Sequence, residues 1–307
     1  MLCNALSTVA GALLRLRRAS RKNNSVADHF PRSADLPTQS PLFWVEQQDR
    51  YLRQLLIRDI EALTHRRLVV YFGNRFENAM IDGRDPSFMT ELLGDVGEEP
   101  VDLVLEATGG VTDATEAVIA LIQHQVKDKD FRAVVAHSAK SNGTLLCLAA
   151  KSIVMGAPSE LGPIEPAING IPCTILADDA MKGMNFVLHK QGVFALQQSK
   201  TIARSLLTSG MMASKTPAEI DEVVNKLSTR DTYASHGSVI HHREAAALGL
   251  KIEYLPPGDA IWERLWLLHC MYEADCRKAR YLKVFEGRAR STAVAAPPPP
   301  PPAPPKP

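Results

Sequence analysis

The sequence predicts an α/β fold with a largely parallel sheet flanked by helices. Short apolar runs of the kind that form buried strands alternate with stretches of helical spacing over residues 67–157. Strands that are buried on both faces are continuously apolar, and strands joined by helices form parallel sheets. From residue 175 the apolar spacing becomes mainly helical, which predicts a helical C-terminal part.

The elements before residue 160 are predicted from runs and spacing. They are a helix at 52–63, a strand at 67–72, a helix at 86–96, a strand at 100–107, a helix near 118, a strand at 132–136, a helix near 147 and a strand at 152–157. In such folds ligands bind at the carboxyl ends of the strands. The residues that follow the strands are therefore the first place to look for chemistry.

The elements after residue 175 are mostly helices. They are predicted at 177–190, 194–211, 217–227 and 242–248, followed by a strand at 251–255 and a last helix at 258–284. Thr216 followed by Pro217 favours the start of the helix at 217–227. Gly249 favours the end of the helix at 242–248. The apolar and aromatic residues of the last helix predict a core or subunit contact.

These elements divide the chain into three parts. Residues 1–45 are predicted to be a disordered leader and linker, residues 46–285 the folded domain, and residues 286–307 a disordered proline-rich tail. From Ala295 onward the tail is nearly all proline and alanine, which predicts an extended polyproline II spacer. The alternative is a ligand for an SH3- or WW-type partner.

Composition excludes several classes of protein. The 307 residues carry a formal net charge of +1, which gives no electrostatic case for a nucleic-acid partner. Five dispersed cysteines without a CxxC pair favour reduced thiols and a cytoplasmic setting. The apolar run at 6–16 is too short to span a bilayer. A frayed leader is expected there, and weak contact of residues 1–21 with a membrane surface is the alternative.

The strongest chemical signal is a serine at a strand-to-helix turn. A strand runs into a turn of small residues that holds Ser141, and an apolar helix follows it. The N-terminus of a helix favours negative charge, so a serine there can act as a nucleophile. The alternative is that Ser141 serves only as the N-cap of the helix.

A glycine pair ends the preceding strand. Gly109 and Gly110 follow Thr108, and a second helix pattern begins just after them. Glycines at such a position let the backbone approach a bound group and expose N–H donors, which can form an oxyanion hole. The alternative is that a tight turn simply requires glycine.

Three motifs in order resemble one family. A strand followed by Thr-Gly-Gly, a strand followed by Ser-x-Gly-Thr, and a strand followed by Ser-x-Leu-Gly-Pro-Ile-acid-Pro are similar to the serine dehydrogenase proteinase family. That family lies in the ClpP/crotonase superfamily, near the signal peptide peptidase A-like Ser-Lys peptidases. The resemblance covers about residues 51–256. It implies a ClpP/crotonase-like fold of repeated ββα and βα units, a serine peptidase activity on peptide or protein substrates, and a homo-oligomer.

The resemblance implies the site residues, and the sequence departs from the family near them. Ser141 is the implied nucleophile, and Gly109, Gly110, Asn142 and Gly143 are the implied oxyanion and substrate-binding residues. Asn142 replaces a small residue, and Lys140 adds a charge beside the nucleophile. Adjacent residues of an extended segment point to opposite faces, so Lys140 need not meet Ser141.

The general base has two candidates. Lys182 matches the position of the lysine in the Ser-Lys relatives, with Lys190 and Lys200 as further candidates. A lysine base must be desolvated to be neutral, and a solvated helix face is the alternative for each. His236 lies in a Ser-His-Gly loop that matches a histidine-bearing loop of the family, and its ordinary pKa suits a base.

The sequence indicates no metal and no cofactor. His236, His241 and His242 lie close together in the chain, but no acidic residue or cysteine has ligand spacing to them. His137 is interpreted as a packing residue at a strand end. Two alternatives to a peptidase stay open: a catalytically inactive scaffold whose proline tail binds a partner, and a crotonase-type acyl-CoA enzyme that has no need of Ser141.

Overall fold

The computed structural model describes residues 40–126, 128 and 130–298. Its strands are β1 (Arg67–Gly73), β2 (Val101–Glu106), β3 (Phe131–Val135), β4 (Ser138–Ala139), β5 (Ser152–Met155), β6 (Glu160–Leu161), β7 (Ala167–Ile168), β8 (Ile171–Pro172), β9 (Ile240–His241), β10 (Ile252–Tyr254), β11 (Tyr281–Gly287) and β12 (Ser291–Ala295). Seven of them form one sheet in the order β10-β5-β3-β2-β1-β11-β12. The first five in that order are parallel, and β11 and β12 are antiparallel to their neighbours.

The helices cover both faces of this sheet. They are α1 (Pro41–Glu46), α2 (Gln48–Thr64), α3 (Asp85–Leu93), α4 (Thr112–Gln125), α5 (Asn142–Leu148), α6 (Cys173–Leu176), α7 (Asp179–Met184), α8 (Phe186–Ser209), α9 (Pro217–Ser228), α10 (His242–Ala247) and α11 (Ala260–Ala279). Leu68, Val70 and Phe72 of β1 pack with α2 and α11, and Val69 and Tyr71 belong to the core on the opposite face. The predicted α/β class with a mostly parallel, helix-covered sheet is confirmed.

A small second sheet lies beyond the carboxyl ends of the main strands. It has the order β4-β6-β9, in which β4 and β6 are parallel and β9 is antiparallel to β6. Each of these strands is two residues long, too short to leave an alternating pattern in the sequence. This sheet brings three segments together: the one that follows β4, the one that follows β6 and the one that precedes β9.

The predicted last helix was wrong at its C-terminal end. Helix α11 stops at Ala279, where Arg280 adopts a left-handed conformation, and the chain returns as β11. Lys283 of β11 is buried and donates to Asp85 at 2.7 Å and to Asp82 at 2.9 Å, which anchors the strand on the start of α3. The folded domain therefore continues to Ala295, beyond the expected boundary at residue 285.

The predicted helix at 177–190 was also wrong. It is divided into α7 and the start of α8, because Asp178 and Asn185 each cap a new helix with their side chains. Helix α7 has no buried residue. Helix α11, by contrast, packs its apolar face on the main sheet, which confirms the core contact among its two predicted roles.

The expectations for the two termini fall largely outside the described residues. The leader up to residue 39 and the proline run from residue 299 are in that part, so their disorder and partners stay predictions. Within the described ranges, none of the helices combines the length and apolar character needed to cross a bilayer. The four described cysteines are free thiols.

Candidate active site

Ser141 lies at a strained turn between β4 and α5. Its backbone has φ 52° and ψ −119°, a conformation that costs an L-residue about 1–3 kcal/mol. Every residue of α5 is buried, so the helix holds the turn in place. A side chain presented from such a turn is accessible from the sheet edge while its backbone stays fixed. The sequence-predicted strand, serine and helix are therefore brought together as expected.

The hydroxyl of Ser141 does not cap its helix. The N-cap position of α5 has no side-chain hydrogen bond, whereas Asp178, Asn185 and Thr216 all accept from backbone N–H groups at the starts of their own helices. A serine kept only as a cap would make the same bond. The capping interpretation is therefore wrong for Ser141.

Gly109 packs directly against the serine. A Cβ at Gly109 would lie 2.8 Å from Ser141 Cβ and 3.2 Å from its Oγ, and the φ of Gly109 is +113°. Gly110, with φ +155°, lies so close to Ile81 that a Cβ would come within 2.3 Å of that residue's backbone N and O. Both positions therefore require glycine, and Gly109 lies beside the hydroxyl.

The carbonyls of the glycine pair are both engaged. Gly109 O accepts from Ile81 N at 2.8 Å, and Gly110 O accepts from Asn142 Nδ2 at 2.5 Å. Asn142 is only 8% exposed, so its side chain acts on the glycine loop and not on bulk solvent. Two anchored carbonyls fix the peptide planes of the loop. Asn142 is therefore a positioning residue for the glycine pair.

Gly143 has a structural part in the turn. Its N–H donates to Lys140 O at 2.7 Å, so this group is already used within the turn. A Cβ there would lie 3.0 Å from Ala107 Cβ. Gly143 thus lets α5 approach the end of β2, and its part in oxyanion or substrate binding stays a prediction.

Lys140 points away from the nucleophile and is locked. Its Nζ donates to Leu161 O and to Ser238 O, both at 3.1 Å, and lies 3.2 Å from a carboxylate oxygen of Glu160. The three N–H groups of the ammonium therefore all have acceptors, and these contacts hold the side chain in place. Lys140 joins the segments around β4, β6 and β9.

The second sheet gathers three loops at one end. Ser141 follows β4, and Glu165 follows β6, which is parallel to β4. His236 precedes β9, which is antiparallel to β6, so its loop runs alongside the segment that contains Glu165. A serine, a histidine and a carboxylate are thus carried on neighbouring segments of one small sheet.

Glu165 is a residue that the sequence analysis overlooked. It is buried, its two oxygens accept from Arg230 Nε at 3.0 Å and from Thr174, and it is the acid of the Pro-Ile-acid-Pro motif. The signal that could have found it was present, because Glu165 is an acid between Pro163 and Pro166 in the segment after a predicted strand. Glu165 entered the sequence comparison only as the acid of the third motif.

His236 is half-buried near this carboxylate. Burial lowers the pKa of its imidazole below the ordinary 6.5, Glu165 acts to raise it, and the positive charges of Arg230 and Lys140 lower it further. The burial effect outweighs the attraction of Glu165. The imidazole is therefore neutral at pH 7, which is the form that can accept a proton.

The lysine candidates lie in less constrained surroundings. Lys182 is exposed on α7, and no hydrogen bond within the described ranges links it to Ser141. Lys190 is exposed on α8 with its Nζ 5.7 Å from the Phe186 ring, and Lys200 donates to Asn225 at 3.0 Å. None of them has the desolvated surroundings that a neutral lysine requires.

His137 lies at a strand end, as expected, but it does more than pack. Its Nδ1 is 3.2 Å from Glu106, and its ring stacks on His269 of α11 with centroids 5.4 Å apart. Burial lowers the pKa of His269.

Two curated relatives are uncharacterised proteins of Methanocaldococcus jannaschii. MJ0137 is 28% identical over 184 residues, which are 59% of this chain and 61% of that protein. MJ1495 is 32% identical over 80 residues, which are 26% of each protein. The chain thus matches less than two thirds of the length of these relatives.

Two solved structures align with part of this chain at low sequence identity. ClpP1 from Listeria monocytogenes aligns at 14% identity and a TM-score of 0.42, over 66% of this chain and 98% of that one. A mutant of 1510-N, described as a membrane-bound stomatin-specific protease, aligns at 14% identity and a TM-score of 0.38, over 60% of this chain and 79% of that one.

One family model matches more than half of the chain. It describes the ClpP-like SDH-type serine proteinases and covers residues 93–273, a range that contains the glycine pair, Ser141, Glu165 and His236. Membership supports a serine peptidase type of function and confirms the resemblance that the three motifs indicated. The chain belongs to the family of ClpP-like SDH-type serine proteinases.

Proposed function

We propose that this protein hydrolyses peptide bonds, with Ser141 as nucleophile and His236 as general base. The observation that carries the proposal is the unused hydroxyl of Ser141, which lies at a strained turn against Gly109 and does not cap its helix. Family membership supports the reaction type, and the half-buried His236 supplies a neutral imidazole.

The chemistry follows from these groups. His236 takes the proton of Ser141 Oγ as the oxygen bonds to the carbonyl carbon of a peptide, and the N–H groups of Gly109 and Gly110 bind the oxyanion that forms. The protonated imidazole then gives its proton to the leaving amine as the C–N bond breaks. Water, deprotonated by the same imidazole, hydrolyses the acyl-enzyme and restores the Ser141 hydroxyl.

Glu165 orients and stabilises the imidazole in this proposal. Its buried carboxylate raises the pKa of His236 against the effect of burial, as an acid must do for an imidazolium that forms during the reaction. The present partners of Glu165, Arg230 and Thr174, hold the carboxylate in place from the other side. Removal of this charge should therefore lower kcat with little effect on substrate binding.

The choice of His236 over Lys182 rests on surroundings. The loop of His236 is fixed by the hydrogen bond from Lys140 to Ser238 O, and Lys140 is the residue before the nucleophile. Lys182 belongs to a helix with no buried residue. A general base must be held within reach of the proton that it accepts, so the anchored loop is the better candidate.

Labelling with a fluorophosphonate probe tests this assignment. We expect the purified full chain to be labelled and Ser141→Ala to be unlabelled. His236→Gln should slow labelling by about 10²-fold or more, the usual contribution of a general base. Lys182→Met should label within about twofold of the wild type, and His124→Gln, which changes an exposed histidine, serves as the matched control. Loss of labelling in Lys182→Met but not in His236→Gln would make Lys182 the base.

The pH dependence of labelling gives an independent prediction. Because burial lowers the pKa of His236, the labelling rate should rise with pH along a midpoint below 6.5 and be flat above pH 7.5. A lysine base would place the midpoint higher, since its ordinary pKa is about 10.4. A midpoint above pH 7.5 would contradict the histidine assignment.

The second candidate is a scaffold without activity. The specific observation in its favour is that Asn142 and Lys140, which depart from the family pattern, are both engaged in structural hydrogen bonds around the turn. An unlabelled wild type at every pH from 5.5 to 9 would favour it. Acyl-CoA turnover that survives Ser141→Ala would instead point to the crotonase-type enzyme.

The partners and setting are part of the proposal. A homo-oligomer is supported by large apolar side chains exposed on α7 and the start of α8, among them Met184, Phe186 and Phe194. A single monomer mass in solution at micromolar concentration would contradict it. A cytoplasmic setting, contact of residues 1–21 with a membrane surface and an SH3- or WW-type partner of the proline tail stay predictions from the sequence.

A further inference from the structure

Three potential metal ligands meet on the side of the main sheet that α11 covers. Glu106 ends β2, His137 follows β3, and His269 lies on α11. Glu106 and His269 are each 3% exposed, and His137 is partly exposed. One ligand atom from each lies within 4.8 Å of the others. This group takes no part in the peptidase proposal.

The separations fit a single tetrahedral metal ion. His137 Nδ1 lies 3.2 Å from Glu106 Oε1, and His269 Nδ1 lies 3.7 Å from Glu106 Oε2. Nitrogen and oxygen ligands about 2.0–2.1 Å from a tetrahedral zinc ion are about 3.3–3.4 Å apart. Both observed separations lie within a few tenths of an ångström of that value, but they run to different oxygens of Glu106, so the side chains must shift for one ion to contact all three residues.

The surroundings support His269 as a ligand. Its other ring nitrogen, Nε2, lies 3.6 Å from Glu273 Oε2, and its ring stacks on Trp266 with centroids 5.2 Å apart. A histidine that binds a metal commonly donates its second N–H to a carboxylate, and Glu273 lies just beyond hydrogen-bond distance for that part. Glu106 is held in the same way, because its Oε2 accepts from Ser138 N at 3.0 Å.

Arg75 is the competing cation. Its Nη1 lies 2.7 Å from His137 Nε2 and 3.1 Å from Nδ1, and its Nη2 donates to Glu273 at 3.1 Å. This guanidinium compensates the charge of Glu273 and lies against the His137 ring. Its side chain is 34% exposed, so it can move outward when a cation binds. Charge repulsion then makes Arg75 a determinant of metal affinity.

We propose that Glu106, His137 and His269 bind a divalent transition metal of the zinc type, with the fourth position open to water. Two histidines and one carboxylate are a ligand set that zinc accepts in proteins. The site would join the ends of β2 and β3 to α11. Gly109 lies three residues after Glu106, and Ser141 lies four after His137, so a bound ion would also brace the two segments that carry the reaction.

Direct titration of the full chain tests the site. After treatment with a chelator, the protein is titrated with Zn²⁺ by calorimetry and with Co²⁺ by visible absorption at pH 7.5. We expect one saturable equivalent with a tetrahedral cobalt spectrum. His137→Gln should weaken binding by about 10²-fold or more, since loss of even an outer partner costs 10–100-fold. Arg75→Gln should tighten binding.

Two controls separate this site from other effects. His124→Gln, an exposed histidine elsewhere, should bind as the wild type does, and so should Ser141→Ala. Metal binding by Ser141→Ala keeps this test independent of the peptidase proposal. Glu106→Gln changes a buried residue, so the fold of this variant is checked by circular dichroism. If it does not fold, the result for His137→Gln, which changes a partly exposed residue, decides. Absent binding, or equal binding by wild type and His137→Gln, would overturn the proposal.

Discussion

The loop that carries Ser141 and the segment that carries Lys182 are held in opposite ways. Around Ser141, Lys140 N donates to Ala107 O at 2.9 Å, Gly143 N donates to Lys140 O at 2.7 Å, and the helix that follows is entirely buried. Around Lys182, helix α7 has no buried residue, and Met184 beside it is 79% exposed. The Ser141 loop is fixed by its contacts with the core, whereas α7 is held mainly by the side chains that cap its helix.

This difference shows where catalytic geometry can come from in a single chain. A nucleophile and an oxyanion site need positions fixed to within a fraction of an ångström, and only the Ser141 loop has the contacts to provide that. A base on α7 would need further packing, such as a second copy of the chain could supply. The predictions below test how different the two regions are.

The largest effect is expected from Gly110→Ala. The added Cβ would lie 2.3 Å from the backbone of Ile81, which cannot move without displacing the end of the sheet. We expect a loss of more than about 4 kcal/mol in the free energy of unfolding, or no soluble protein. Gly183→Ala in α7 meets nothing within 4 Å and should stabilise by about 0.5–1 kcal/mol. Denaturant unfolding of both variants measures the contrast, and equal stabilities would refute it.

A lysine pair gives an intermediate effect. Lys140→Met leaves the carbonyls of Leu161 and Ser238 without their donor, and we expect a cost of about 1–3 kcal/mol together with slower labelling by the fluorophosphonate probe. Lys182→Met changes an exposed side chain and should stay within about 0.5 kcal/mol of the wild type. The denaturant concentration at the midpoint of unfolding, compared between variants with the same dependence of unfolding free energy on denaturant, measures both stability changes. A larger loss in Lys182→Met would mean that α7 is packed in solution, as in an oligomer.

The same division explains how much the sequence could predict. The main parallel strands and the turn at Ser141 were predicted because buried strands leave continuous apolar runs and the turn needs small residues. The two-residue strands β4, β6 and β9 leave no such pattern, and they are what bring Glu165 and His236 to the end of the sheet where Ser141 lies. The break at Asn185 was missed because its side-chain cap overrides a helical spacing that continues through it.

The group of Glu106, His137 and His269 was out of reach for a different reason. Spacing rules find ligands that lie close together in the chain, and these three come from two strand ends and a distant helix. The same holds for β11 and β12, because β11 can pair with β1, and β12 with β11, only if the preceding helix ends at Ala279. Long-range contacts of this kind are set by the assembled sheet and not by local periodicity.

The smallest effect isolates the strain at the nucleophile. Glycine adopts a positive φ without cost, so Ser141→Gly should be more stable than Ser141→Ala by about 1 kcal/mol, after the greater backbone freedom of glycine in the unfolded chain offsets part of the relief. Both variants lack the hydroxyl and should be unlabelled, which removes catalysis from the comparison. Thermal unfolding of the pair at one protein concentration measures the difference. A lower unfolding temperature for Ser141→Gly than for Ser141→Ala would mean that the turn relaxes in solution. The Ser141 loop would then be no more strained than the segment around Lys182.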